Sequence, residues 1–264
     1  MLKPSIFIAG FAVLSIAVAC DGVFDGIYDE PSDNKESVVA DNQLIIDASS
    51  WTDWYYLSFD SLQQYVANGD KEGLRYAQTH FTPYPVPLDS IGTIASPNKA
   101  TGIYTYWFDV FGKGMDNNAL RWFRTTLPQP EPAEWDIAFH RQNVRTNGAT
   151  VLETNYTSID DLPSSSATFT GVDFVPDEWS EKDVWSDETK MLLSLIGCQG
   201  ITISKPLSSM LIVNIPPMPP TYDINHHVFL VKLKNGNVAA IQLANYMNSA
   251  GKSCHLTINY KYPY

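Results

Sequence analysis

Only three cysteines occur in the 264 residues, and none forms a Cys-x-x-Cys pair or a Cys/His cluster, which removes the usual zinc arrangements. Phosphate-cradling glycine loops are missing. So are the Gly-x-Ser-x-Gly elbow of serine hydrolases and the His-Glu-x-x-His pair of metalloproteases. Basic residues are scarce, 17 Lys and Arg against 29 Asp and Glu, so the formal net charge is −12. Such a surface repels nucleic acid and anionic lipid. Its partners are neutral, cationic or apolar, or anionic ligands held by a few local basic residues. Internal repeats, long amphipathic helices and domain-sized linkers after residue 41 are all lacking.

The longest apolar run, residues 6–18, is too short for a comfortable membrane span and follows a single positive residue, Lys3. It ends in Ile16-Ala17-Val18-Ala19-Cys20, which resembles the lipobox of bacterial lipoprotein signal peptides. That resemblance implies cleavage before Cys20 and a lipid on its sulfur. A plainer reading of the same residues is an ordinary secretory signal or a small N-terminal anchor. Cleavage removes Lys3 and takes the net charge to about −13. The residues after Cys20 are acidic, contain Gly, Ser and Pro, and have no periodicity, so residues 20–43 are expected to be a lipidated cysteine and flexible tether. Acidic residues at this place also resemble the surface-export signal of Bacteroidetes lipoproteins. Export permits a disulfide between Cys198 and Cys254, though a sequence separation says nothing about their proximity.

From residue 44 the pattern is that of strands. Aromatics make up 12% of the chain and the 17 prolines favour turns over helices. Residues 51–59 carry apolar and aromatic side chains on both faces and predict a strand inside a sheet. One or two helical turns fit residues 61–75, and the proline-rich stretch 80–97 predicts loop. Strands are predicted over 101–111, 135–141 and 208–214. An apolar patch at 191–196 is expected to end at Gly197 and Gly200, with a short strand at 201–203. Residues 227–233 and 238–246 flank Lys234-Asn235-Gly236-Asn237 as a hairpin. In the last strand Leu256, Ile258, Tyr260 and Tyr262 share one face. These patterns predict a single, mostly antiparallel all-β domain over 44–264 with long loops.

Few residues offer chemistry. Asp160-Asp161 and Asp177-Glu178 are adjacent in polar stretches and read as solvated faces rather than a catalytic dyad. His140 reads as a sheet residue, and the neighbours His226 and His227 point apart on a strand, so they cannot chelate one ion together. Met210 and Met247 lie in or beside apolar strands and are expected in the core. Met218 differs. It sits in Ile215-Pro216-Pro217-Met218-Pro219-Pro220-Thr221-Tyr222, where prolines forbid helix and central strand. The thioether is displayed rather than packed, and thioethers are soft ligands for Cu(I) or haem iron. Met191, which opens an apolar patch after charged residues, is the second methionine with no clear packing role.

Trp135-Asp136-Ile137-Ala138-Phe139-His140-Arg141, continued by Val144-Arg145-Thr146-Asn147-Gly148, resembles the signature of HmuY-like haem-binding lipoproteins of Bacteroidetes. The aromatic run 51–59, the Met218-Pro219-Pro220-Thr221-Tyr222 segment with its hairpin, and the closing Tyr260-Lys261-Tyr262-Pro263 fit the same family. The resemblance spans 44–264 and includes the lipobox. It implies a hand-shaped all-β fold that grips haem between two loops, each giving one axial side chain. Some members use two histidines and others two methionines. Here the implied ligands are Met191 and Met218, 27 residues apart, with Lys190 near a propionate and Tyr222, Trp179 and Trp185 walling the ring. The stretch 65–114 departs from the compact members. The implied role is haem binding for iron acquisition and no enzymatic activity. An outer-membrane haem receptor and host haemoproteins are the implied partners, and the membrane is met only through the lipid anchor on the outer-membrane surface. The alternative on the same scaffold is a glycan- or peptide-binding surface lipoprotein, because the Trp and Tyr content suits sugar stacking equally well.

Overall fold

The computed structural model describes residues 40–87, 90–94, 102–107, 120–188, 195–214, 217 and 220–264. In chain order the elements are β1 (Gln43–Asp47), β2 (Asp53–Leu57), α1 (Phe59–Ala67), α2 (Lys71–Thr79), β3 (Pro83–Pro85), β4 (Ser90–Ile94), β5 (Gly102–Trp107) and β6 (Leu120–Thr126). There follow β7 (Ile137–His140), β8 (Asn143–Thr146), β9 (Thr150–Glu153), β10 (Val175–Pro176), β11 (Glu178–Ser180), β12 (Trp185–Asp187) and β13 (Leu195–Ile203). The chain ends with α3 (Lys205–Ser208), β14 (Leu211–Asn214), β15 (Thr221–Ile224), β16 (Phe229–Lys232), β17 (Val238–Met247) and β18 (Ser253–Lys261). Every strand pairing among the described residues is antiparallel, as the hairpin-rich sequence predicts.

Three sheets carry the fold. The first runs β1-β18-β17-β16-β9-β10, the second β11-β13-β5-β6-β4 with β12 also on β13, and the third β3-β2-β7-β8; β14 and β15 form a separate ribbon. The third sheet is the middle layer. Through Leu57, Ile137, Phe139 and Val144 one of its faces shares a core with Leu44, Ile46, Val231, Ile241 and Ile258 of the first sheet. Through Trp54 and Ala138 its other face packs with Ile103, Ile201 and Ile203 of the second. Double coverage explains why the run from Ile137 to His140 shows no alternation: all four residues are buried. It also bears out the expectation that the aromatic run at 51–59 lies inside a sheet, since β2 pairs with β3 on one side and β7 on the other.

Helix is more extensive than the turn or two expected over 61–75. Two nine-residue helices form because each has a polar cap: the Ser58 hydroxyl accepts from the Ser61 N–H at 3.2 Å and the Asp70 carboxylate from the Gly73 N–H at 2.9 Å. The proline-rich stretch predicted as loop contains β3 and β4. Both are edge strands, the one place in a sheet where Pro83 and Pro85 leave no ladder donor missing. The break expected at Gly197 and Gly200 is absent, and β13 runs unbroken for nine residues. These glycines permit close approach instead. A Cβ on Gly200 would stand 2.4 Å from a Tyr104 ring carbon and 2.8 Å from one of Trp179. The hairpin around Asn235-Gly236 and the inward face of Leu256, Ile258 and Tyr260 are found as expected. Met210 is in the core, but Met247 is 36% exposed at the end of β17, opposite Ser253 of β18.

Gly200→Ala is expected to lower stability by about 1–3 kcal/mol in urea denaturation, because two rings packed on either side of the strand must give way.

Candidate functional site

The turn joining β7 to β8 sits at the end of the doubly covered sheet, so its polar groups are buried and must find partners inside the protein. His140 is fully buried, with Nδ1 3.0 Å from the Asp53 carbonyl and Nε2 2.9 Å from the Trp185 carbonyl. It ties β2 to β12 and offers no nitrogen to a metal, in line with its reading as a sheet residue. Burial pushes its pKa down, while the two carbonyls oppose that shift. Asn143 donates to the Asp183 carbonyl at 3.0 Å. Asp177 accepts from the Thr146 N–H at 2.7 Å and its hydroxyl at 3.1 Å, so this carboxylate is a structural clasp rather than half of a dyad. The motif Trp135-Asp136-Ile137-Ala138-Phe139-His140-Arg141 therefore builds the middle layer and fastens the backbone just before residue 189 to it.

Arg141 completes that fastening. Its backbone is left-handed, with φ 55°. Its guanidinium carbon lies 3.6 Å from the centre of the Trp51 ring, and Nη1 donates to the Ser49 carbonyl at 2.7 Å. Trp51 stacks in turn on Trp185, with ring centres 6.0 Å apart and planes 14° from parallel. Burial holds the pKa of the Glu188 carboxylate above the usual range even though Arg141 and the Trp51 side chain act to lower it.

Met191 and Lys190, in the connection from β12 to β13, and Met218, in the connection from β14 to β15, lie outside the described residues, as does Cys20. The flanks of both connections are described. Glu188 and Arg141 are both close enough to Cys254 on β18 to shift its thiol electrostatically. Cys254 stands in the same relation to Tyr246 on β17, whose ring centre is 5.4 Å from that of Tyr222 on β15. The flank of the first connection carries Trp185, stacked on Trp51, and the flank of the second carries Tyr222, beside Tyr246.

Trp179 does not belong there. It pairs opposite Thr202, seven residues along β13 from Leu195, or about 23 Å at 3.3 Å per strand residue, and its ring lies against Gly200. Trp185, opposite Cys198, is placed close to the connection. His227 bonds Glu153 at 2.8 Å, and among the described residues no three His, Cys, Asp or Glu side chains gather to hold a metal ion. Cys198 and Cys254 are free thiols, both buried, on the second and first sheets respectively. A polar cleft of about 520 Å³ lies at the other end of β7, between Asp60, Glu134, Asp136 and Lys234. Its tryptophan, Trp135, is 6% exposed and presents no stacking face to a sugar. Sequence reading missed Trp51, Arg141 and Tyr246. Only the arginine directly after the buried run gave a signal, as a charge where the pattern demanded an apolar residue.

Residues 50–260 match the family model for the HmuY protein. The chain belongs to the HmuY family. A Bacteroides vulgatus protein assigned to the HmuY-like haem-binding proteins is 28% identical, with a TM-score of 0.58 over 84% of this chain and 91% of that one. A Bacteroides fragilis protein assigned as a lipoprotein is 25% identical, with a TM-score of 0.54 over 84% and 89%. The apo HmuY analog of Tannerella forsythia shares the fold at 18% identity and a TM-score of 0.54, over 83% and 93%. No curated protein matches. In this HmuY family member the stretch from Ile137 to His140 is a strand of the middle sheet.

The lowered pKa of His140 fixes the sign of an acid effect. Below about pH 6.5 the unfolded chain takes up a proton that the buried ring refuses, so stability falls on acidification. His140→Gln is expected to cost about 1–3 kcal/mol near pH 7.5 and to lose less than wild type between about pH 7.5 and 5.5 in urea denaturation.

Proposed function

We propose that this HmuY family member is a lipid-anchored haem-binding protein of the bacterial surface, which holds haem between Met191 and Met218 and hands it on for uptake. Its role is binding and delivery rather than catalysis. The observation that carries the reading is the HmuY match across residues 50–260, together with the haem-binding assignment of the Bacteroides vulgatus relative.

The residues present fit a porphyrin. Trp185 stands on the strand that leads into the first methionine-bearing connection, and Tyr222, beside Tyr246, on the strand that follows the second, so aromatic surface borders both. Arg141, over the Trp51 ring, carries a buried Nε without a hydrogen-bond partner. Haem would supply an iron with two axial positions suited to neutral soft donors. Two thioethers favour Fe(II) over Fe(III), so binding is tighter under reducing conditions. The prolines around Met218 restrict its segment before any ligand arrives and so reduce the entropy lost on binding. Cys20 is the lipidated residue, and residues 20–43 tether the domain to the outer membrane. Among the described residues no helix is long and apolar enough to cross a membrane. An outer-membrane haem receptor and host haemoproteins are the partners on either side of the transfer.

Titration with haem, followed at the Soret band in ferric and dithionite-reduced forms, tests the ligands. Met191→Ala and Met218→Ala are each expected to change the reduced spectrum and weaken binding by tenfold or more, on the order seen for lost metal-site contacts. Unchanged spectra and affinities in both variants overturn the assignment. A second experiment addresses the anchor: Cys20→Ala expressed in a Bacteroidetes host is expected to move the protein from the detergent phase to the aqueous phase in Triton X-114 partition.

A further inference from the structure

Asparagine followed by glycine is a reactive pair as well as a turn former. The glycine nitrogen, once deprotonated, attacks the carbonyl carbon of the Asn side chain, because no side chain on the glycine crowds the approach. The chain has three such pairs: Asn68-Gly69, Asn147-Gly148 and Asn235-Gly236. All three glycines are left-handed, at φ 65°, 71° and 90°, and a Cβ on any of them would meet nothing within 4 Å. Crowding and backbone class therefore do not separate them. Hydrogen bonding does. The Gly69 N–H donates to the Val66 carbonyl at 3.1 Å where α1 ends, and the Gly236 N–H donates to the Leu233 carbonyl at 2.9 Å in the hairpin turn. The exposed Gly148 N–H makes no hydrogen bond among the described residues.

The side chains add to this difference. Asn235 is held at both ends of its amide: Oδ1 accepts from the Asn237 N–H at 2.9 Å, and Nδ2 donates to Asp60 at 3.1 Å. Asn147 is held at one end, where Nδ2 donates to the carbonyl of buried Trp135 at 2.9 Å. Water reaches this amide, because Asn147 lines the polar cleft together with Asp60, Glu134 and Asp136. Its place in the fold also matters. Residues 147–149 carry the chain from β8 of the middle sheet to β9 of the first, and the turn is closed by the Ala149 N–H donating to Thr146 Oγ1 at 3.1 Å.

We infer that Asn147 is a site of spontaneous covalent modification, with water as the only co-reactant, and that the fold protects Asn68 and Asn235 from the same reaction. The Gly148 nitrogen gives its proton to solvent and bonds to Cγ of Asn147. The Cγ–Nδ2 bond breaks, and ammonia leaves with a proton taken back from solvent, so a cyclic imide remains. Water then adds to either imide carbonyl and opens the ring. One opening leaves aspartate in an unchanged backbone; the other leaves isoaspartate, with Cβ inside the main chain. No oxidation or reduction takes place. Either product puts a carboxylate where the amide donor stood, so the Trp135 carbonyl loses its partner. The new charge joins Asp60, Glu134 and Asp136 around the cleft. Isoaspartate also lengthens the turn between the middle and first sheets, which loosens their junction. The modification is independent of the haem reading above.

Ageing of the full chain at mildly alkaline pH, folded and in parallel in concentrated urea, tests this. Conversion at each pair is read by peptide mapping in a mass spectrometer, with isoaspartyl methyltransferase labelling for the isomerised product. In the folded protein Asn147 is expected to convert roughly fivefold faster than Asn68 or Asn235, the factor that one net backbone hydrogen bond represents. In urea the three rates are expected to converge, because the bonds that separate them are gone. Asn68 or Asn235 reacting as fast as Asn147 in the folded protein overturns the inference. So does the same ratio of rates in urea, or an inert Asn147 in folded protein while the unfolded chain converts. Asn147→Asp reproduces one product and is expected to lower the urea midpoint, as ageing of the wild type does. Midpoints unchanged in both overturn the loosening of the sheet junction.

Discussion

A sheet covered on both faces is the constraint on which the rest of this structure depends. The four strands β3-β2-β7-β8 contribute Phe139 and Val144 to one core and Trp54 and Ala138 to another. No residue at their centre can turn to water, so every backbone and side-chain polar group there must be satisfied internally. The strand ends show how this is met. His140 is shared between two carbonyls, Asn143 donates to Asp183, and Thr146 to Asp177. Apart from the Asp53 carbonyl on β2, these partners, Trp185, Asp183 and Asp177, lie outside the sheet. Satisfying the sheet therefore also fixes the segments that run past it, including the one that ends at residue 188.

That coupling changes how the signature motif is understood. A histidine and two arginines within one short buried stretch invite the expectation that they touch a ligand. In this chain both ring nitrogens of His140 lie against backbone carbonyls, and the neutral ring donates to one of them. Arg145 is paired with Glu131 at 2.6 Å and lies 4.9 Å from the Trp135 ring centre. Their work is to hold a layer in place. The charge on Arg145 is stabilised by its carboxylate, whereas Arg141, one strand end away, has no such partner and leans on an indole face instead. The difference between two arginines four residues apart is what singles out Arg141.

Much of the fold was legible because strand periodicity survives wherever a sheet has one wet face. β18 alternates as its sequence does, and the β16–β17 hairpin follows from Asn235-Gly236. Legibility failed where tertiary contacts override local signals. Glycines at 197 and 200 looked like breaks, but they are the positions at which Tyr104, Trp179 and Asp187 cross closest to β13. Prolines at 83 and 85 looked like loop, but an edge strand needs no donor from them. The caps at Ser58 and Asp70 were present in the sequence, and weighting them more heavily would have given two helices.

The candidate site divides in the same way. Met218 could be singled out because proline chemistry is local and is written in the residues beside it. The stacked cluster at the end of the middle sheet could not, because it is assembled from three distant stretches: Trp51 before β2, Arg141 after β7 and Trp185 on β12. Stacking between Trp51 and Trp185 spans 134 positions of sequence and leaves no periodic trace. A backbone angle of 55° at Arg141 is equally silent, since arginine has no preference that would announce it. Local proline chemistry is therefore visible from sequence, whereas a cluster whose geometry depends on the doubly buried sheet is hidden.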